Sequence, residues 1–155
     1  MRVYLTGGAT AVLYGWRNST LDIDLRLDPE RDEILRLFPE LKERLSINVE
    51  FASPIDFIPV REGWEARSPF VMQRGRISVY HFDLYAQALS KIERGHRQDL
   101  TDVASMLERG LIKPEGLEAY FSAIAPALYR YPAVDEGTFR RAVGQMVDDA
   151  IRREL

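Results

Sequence analysis

The chain has 155 residues, 46% of them hydrophobic and 29% charged, with a formal net charge of −3. That suits one domain, or one domain with a small appendage, able to bury a core; the near-neutral balance argues against a broad basic face for nucleic acid. The sequence contains no cysteine, which excludes disulfides, thiolate metal sites and cysteine nucleophiles. The apolar run at Val3-Tyr4-Leu5 is too short for a leader peptide, and no stretch approaches the about 20 apolar residues of a membrane helix. A cytoplasmic protein without a membrane partner is the expectation.

Val3-Tyr4-Leu5 reads as a strand running into Gly7-Gly8, and Ala9 to Tyr14 is rich in helix formers. Leu21, Ile23, Leu25 and Leu27 alternate with Asp22, Asp24 and Arg26, the period of two that marks a strand. Asp28-Pro29-Glu30 predicts a helix start, with an acid cap, a proline in the first turn and acids at the positive end. That helix would carry Ile34, Leu37, Phe38, Leu41 and Leu45 on one side, with Pro39 kinking or splitting it. Ile47 to Phe51 predicts a third strand, closed by Ser53-Pro54. Residues 52–75 hold little periodicity and read as a long loop, and Arg76 to Phe82 predicts another strand.

From Asp83 onward the pattern turns helical. Leu84, Ala88, Leu89 and Ile92 share one face; Leu100, Val103, Ala104 and Leu107 form a second stripe, ended by Gly110. Pro114 opens a helix with Leu117, Tyr120, Phe121 and Ile124, and Asp135 caps a last one with Phe139, Val143, Met146, Val147 and Ala150. The expected architecture is α/β (α+β): a small mixed sheet flanked by helices over residues 1–82, and a helical region over 83–155 packed on it.

Asp22 and Asp24 lie two apart on a predicted strand, so both carboxylates face the same way, roughly 6 to 7 Å apart at the backbone. At an effective dielectric near 20 they would repel by roughly 2 to 3 kcal/mol. A hard divalent cation relieves that repulsion, and magnesium prefers a few carboxylates together with phosphate oxygens and water. The alternative is a solvated acidic face on an edge strand. Gly7-Gly8 ends one strand and starts a helix, where unobstructed backbone N–H groups can cradle phosphate. It is neither a Walker loop nor a dinucleotide fingerprint, and alone it would be an ordinary tight turn. The order strand, Gly-Gly, helix, Asp-x-Asp strand sets a phosphate cradle beside a paired-carboxylate site, as binding and cleaving a magnesium nucleoside triphosphate requires.

Leu5-Thr6-Gly7-Gly8 followed by Leu21-Asp22-Ile23-Asp24-Leu25 resembles the motif of the nucleotidyltransferase (DNA polymerase β-like) superfamily. The intervening Ala9-Thr10-Ala11, Gly15-Trp16-Arg17 and Thr20 resemble its minimal bacterial branch, which includes AbiEii-type toxins and the DUF6036 family. Similarity to the latter extends to Glu93-Arg94-Gly95-His96 and Tyr129-Arg130-Tyr131-Pro132. The resemblance implies a nucleotidyl transfer from a nucleoside triphosphate to an acceptor hydroxyl on RNA, tRNA or protein. It implies Asp22 and Asp24 as metal ligands, in a two-ion magnesium site when triphosphate is bound, with Gly7, Gly8, Thr20 and Lys91 holding the triphosphate. A third acid, both metal ligand and catalytic group, would be Glu50, or else Asp56, which also lies between apolar residues. Arg17 stands one residue further from the acid pair than in the AbiEii-type pattern. The branch also implies a possible cognate toxin or antitoxin partner, and it contains catalytically weak members that act as binding modules or nucleotide sensors. Asp99 can be read as a helix cap, Lys91 as a solvated lysine, and Trp16, Trp64, Tyr129 and Tyr131 as packing residues or base-stacking platforms. His81 and His96 have no ligand spacing.

Overall fold

The computed structural model describes residues 1–154. It is an α/β fold around a five-stranded mixed sheet in the order β3-β2-β1-β5-β4. The chain divides into two compact units, Met1–Ser53 with Glu65–Phe82, and Pro54–Trp64 with the chain from Asp83 onward.

The first unit holds β1 (Arg2–Thr6), α1 (Gly8–Tyr14), β2 (Asp22–Asp28), α2 (Asp32–Leu35), α3 (Phe38–Leu45), β3 (Asn48–Glu50), β4 (Phe70–Arg74) and β5 (Ile77–His81). β1 pairs antiparallel with β2 and parallel with β5, and β2 pairs parallel with β3. The alternation along β2 therefore sorts the sheet into two chemically different faces. Leu25, Leu27 and Val49 form the buried core of one face, packed by Val3, Leu5, Ile23, Ile34, Leu35 and Phe38. The other face carries Asp22 and Asp24 beside Thr6, Asn48 and Glu50.

Three local expectations are corrected here. Asp28-Pro29-Glu30 does not start a helix: Asp28 ends β2, opposite Arg2, and α2 begins only at Asp32. Ladder pairing with β1 and an Arg2–Asp28 ion pair of 3.8 Å outweigh the local capping pattern. The helix that Pro39 was expected to kink or split is two pieces, with Pro39 in the first turn of α3, but Leu37 and Leu45 are exposed rather than packed. The loop expected over 52–75 contains β4. That strand lies at the sheet edge with most of its residues exposed, so no alternation of apolar residues marked it.

In the second unit, α4 (Leu84–Arg94) packs against α5 (Arg97–Glu108), α6 (Pro114–Ile124) and α7 (Glu136–Glu154). Leu84, Ala88, Leu89 and Ile92 are all buried, and so are Leu117, Tyr120, Phe121 and Ile124. Asp83 caps α4, accepting from the Tyr85 and Ala86 amides at 3.0 and 3.5 Å and from the Tyr120 hydroxyl at 3.2 Å. Asp135 accepts from the Thr138 amide at 2.8 Å at the start of α7. Pro54–Trp64 joins this unit through Tyr131, whose hydroxyl donates to the Ile55 carbonyl at 2.7 Å, and through the Arg61 amide, which donates to the Tyr120 hydroxyl at 3.1 Å. The stripe expected on α5 is turned: Asp99, Asp102, Val103 and Met106 are buried, while Leu100 is exposed. Two acids occupy the inner face because a lysine on α4 meets them there. Among the described residues no helix is long and apolar enough to cross a membrane.

Candidate active site

The acid face of the sheet is built by register. Asp22 and Asp24 project from β2 on one side, and β3 sets Asn48 opposite Asp22 and Glu50 opposite Asp24. Asp24 also lies opposite Thr6, the last residue of β1 before the glycine turn. Asp22 and Asp24 are half-buried, and Asn48 and Glu50 are exposed. Asp56, the other acid considered, sits exposed on a short 3-10 turn, Pro54–Asp56, in the second unit.

Gly7 leaves β1 with φ 64° and ψ −131°, a backbone conformation that side chains other than hydrogen strongly disfavour. A Cβ there would also lie 3.0 Å from the Asp24 Oδ2. Gly8 opens α1, and a Cβ on it would run into the Thr20 hydroxyl and come within 3.3 Å of an Arg17 guanidinium nitrogen. Thr20 is held in that position by donating from Oγ1 to the Asp22 carbonyl at 2.9 Å. The missing side chains thus allow the turn, the acid strand and the 15–21 loop to approach one another closely. α1 has seven residues, so its dipole is small.

Behind the turn, α1 is fastened to the apolar face. Thr10 Oγ1 lies 2.9 Å from His81 Nδ1 and 3.4 Å from the Leu5 carbonyl. The Tyr14 ring stacks on His81 at 4.6 Å between centroids and on Trp16 at 5.9 Å. Burial lowers the His81 pKa from 6.5 to about 4, so the imidazole is neutral at physiological pH and holds the helix through hydrogen bonding.

Lys91 lies on α4. It is buried in the second unit, its Nζ 2.8 Å from Asp102 Oδ2 and 3.7 Å from Asp99 Oδ1. Arg94 donates to both oxygens of Asp99 at 2.6 and 2.9 Å, and Gln98 donates to Asp102 at 3.2 Å. Burial works to raise the Asp99 pKa, but the Arg94 hydrogen bond and charge, aided by Lys91, hold it below the usual carboxylate range. Asp99 is therefore part of a buried charge network rather than a helix cap.

A family model described as a nucleotidyltransferase of unknown function (DUF6036) matches residues 2–134. The chain belongs to the DUF6036 family. Comparison with curated proteins and with solved structures gives no match. The DUF6036 match spans the glycine turn, the acid strand, β3 and the α4–α5 network together.

Whether this DUF6036 chain suits magnesium can be judged from its donors. Among the described residues no three His, Asp or Glu side chains are gathered closely enough to hold a metal by themselves. The acid face nevertheless offers carboxylate oxygens, those of Asp22 and Asp24 on alternate positions of one strand, half open to solvent. That set fits a hard cation that binds through one or two carboxylates and completes its shell with phosphate oxygens and water. Asn48 was missed by sequence reasoning. Its signal was present: in Asn48-Val49-Glu50 the period of two puts it on the face of Glu50.

Proposed function

We propose that this chain transfers a nucleotidyl group from a nucleoside triphosphate to an acceptor hydroxyl in a magnesium-dependent reaction, the acceptor oxygen bonding the α-phosphorus as the α–β bond breaks and pyrophosphate leaves. The observation that carries the reading is the contact between Gly7 and Asp24, where a carboxylate of the acid pair lies 3.0 Å from the position a Cβ would take. A phosphate approaching the turn amides would reach the acid pair at the same time. In this reading Asp22 and Asp24 hold the metal, with Glu50 across the β2–β3 seam as the third acid. Bound magnesium would neutralise phosphate charge and lower the pKa of the acceptor hydroxyl. Gly7 and Gly8 admit the triphosphate to the backbone amides, Thr20 keeps the neighbouring loop against Gly8, and Glu50 accepts the acceptor's proton. The acceptor belongs to RNA, tRNA or another protein, and a cognate toxin or antitoxin chain is the natural partner class.

A second reading is a nucleotide-binding module with little turnover. The engagement of Lys91 with Asp102 and Asp99 favours it, since that ammonium is already neutralised inside the helical unit. Incubating lysate with α-phosphate-labelled nucleoside triphosphates and either wild type or Asp22→Asn separates the two. The transferase reading expects label on a macromolecule with wild type that is lost in the variant. Magnesium-dependent nucleotide binding with no label on any acceptor would leave only the binding module.

A further inference from the structure

Asn48 has no place in the residue set argued so far, yet it touches two members of it. Its Nδ2 donates to Asp22 Oδ1 at 2.6 Å and to Glu50 Oε1 at 3.4 Å. An amide nitrogen carries two hydrogens, one for each carboxylate. The opposite amide orientation would bring three oxygens together, so the chemistry fixes which atom faces the acids. β3 is a three-residue strand at the sheet edge, and Glu50 on it is exposed. Without Asn48, the Glu50 side chain would lose this hydrogen bond, and a long exposed side chain would sample many rotamers.

We propose that Asn48 is a positioning residue: its amide bridges β2 and β3 and sets the Asp22 and Glu50 carboxylates in the arrangement that receives a divalent cation. The proposal rests on the metal-dependent reading above. The residue type matters. A neutral donor relieves the repulsion between the two acids without cancelling the negative charge that attracts the cation. A lysine or arginine at this position would cancel it, and an aspartate would remove both donors and add to the repulsion. Outer partners of metal-ligating carboxylates commonly affect affinity by about 10- to 100-fold.

The test uses the full chain, Mn2+ as the probe and a non-hydrolysable nucleoside triphosphate analogue, with electron paramagnetic resonance reporting bound metal. Wild type, Asp22→Asn, Asn48→Ala and Asn48→Gln are compared. The expected result is Mn2+ binding by wild type, its loss in Asp22→Asn, and about 10-fold weaker binding with a broadened spectrum in Asn48→Ala. Asn48→Gln keeps the donor and should recover part of the affinity. Circular dichroism should show all four chains folded, since Asn48 is an exposed residue. In the metal-free protein, the side-chain amide resonances of Asn48 should shift on Asp22→Asn. If Asp22→Asn loses Mn2+ while Asn48→Ala binds it as wild type does, the positioning role is wrong and the metal reading stands. If wild type binds no Mn2+ with nucleotide, both fall.

Discussion

At the scale of single residues, the candidate site is defined by atoms that are missing. Gly7 is required twice over, by its positive φ and by the Asp24 oxygen 3.0 Å from where its Cβ would be. Gly15 provides an internal comparison, because its φ of 94° and ψ of 12° lie in the milder left-handed helical region and nothing lies within 4 Å of its own missing Cβ. Gly7→Ala should destabilise the chain by about 1–3 kcal/mol through strain, and more than Gly15→Ala, because Gly7 lies outside the left-handed helical region and its Cβ must also displace Asp24. Urea unfolding of the two variants measures this; equal effects would mean that both the Gly7 backbone conformation and the Asp24 contact are easily relieved. Gly8 has a different constraint. Gly8→Ala collides with Thr20, and Thr20→Gly in the same chain should restore part of the loss, a coupling that a double-mutant cycle reads directly.

At the scale of elements, the turn of α5 shows how a neighbouring helix decides which face is buried. Leu100, Val103, Ala104 and Leu107 form a plausible apolar stripe, yet Leu100 is exposed and Asp99 and Asp102 are buried beside Val103, at 4% and 0% exposure. They are stable there because Lys91, Arg94 and Gln98 satisfy them. Removing one partner leaves an uncompensated buried charge. Lys91→Met should therefore cost about 3–5 kcal/mol, and adding Asp102→Asn should recover part of it. Thermal and chemical unfolding test both steps. Loss of nucleotide affinity in Lys91→Met with undiminished stability would instead assign the lysine to ligand binding. β4 teaches the complementary lesson. An edge strand with Phe70 61% exposed and meeting Tyr80 edge-to-face has no buried face to print a pattern into the sequence.

At the scale of the whole molecule, the two units should respond to acid differently. In the sheet unit, His81 is depressed to about 4 from 6.5. Its unfolded form takes up a proton first, so stability is full above pH 6.5 and declines as pH falls toward 4, by up to roughly 3 kcal/mol. In the helical unit, the depressed Asp99 contributes stability above the ordinary carboxyl pKa of 3.8 that is lost only as pH falls below it. The chain has two tryptophans, Trp16 in the first unit and Trp64 in the second. Fluorescence of Trp64→Phe and Trp16→Phe variants therefore reports each unit separately. The first variant should lose stability between pH 6.5 and 4; a flat response there would show that His81 is not buried neutral. His81→Gln should remove the slope.

The sequence by itself determined whatever depends on neighbours along the chain. Alternation through Leu21–Leu27 put both aspartates on one face, the Gly-Gly pair marked a turn that only glycine can make, and the run of strands then helices indicated an α/β fold. Those signals are local, because side-chain direction and backbone freedom are fixed within a few residues. Tertiary structure decided what depends on pairing between distant segments. The β2–β3 register set Glu50, not Asp56, opposite Asp24 and brought Asn48 onto Asp22. β1 pairing kept Asp28 in a strand despite its capping pattern, and the packing of α4 on α5 drew Lys91 into a buried charge network. Register and packing are non-local, since the free energy that selects them arises only when both partners are present.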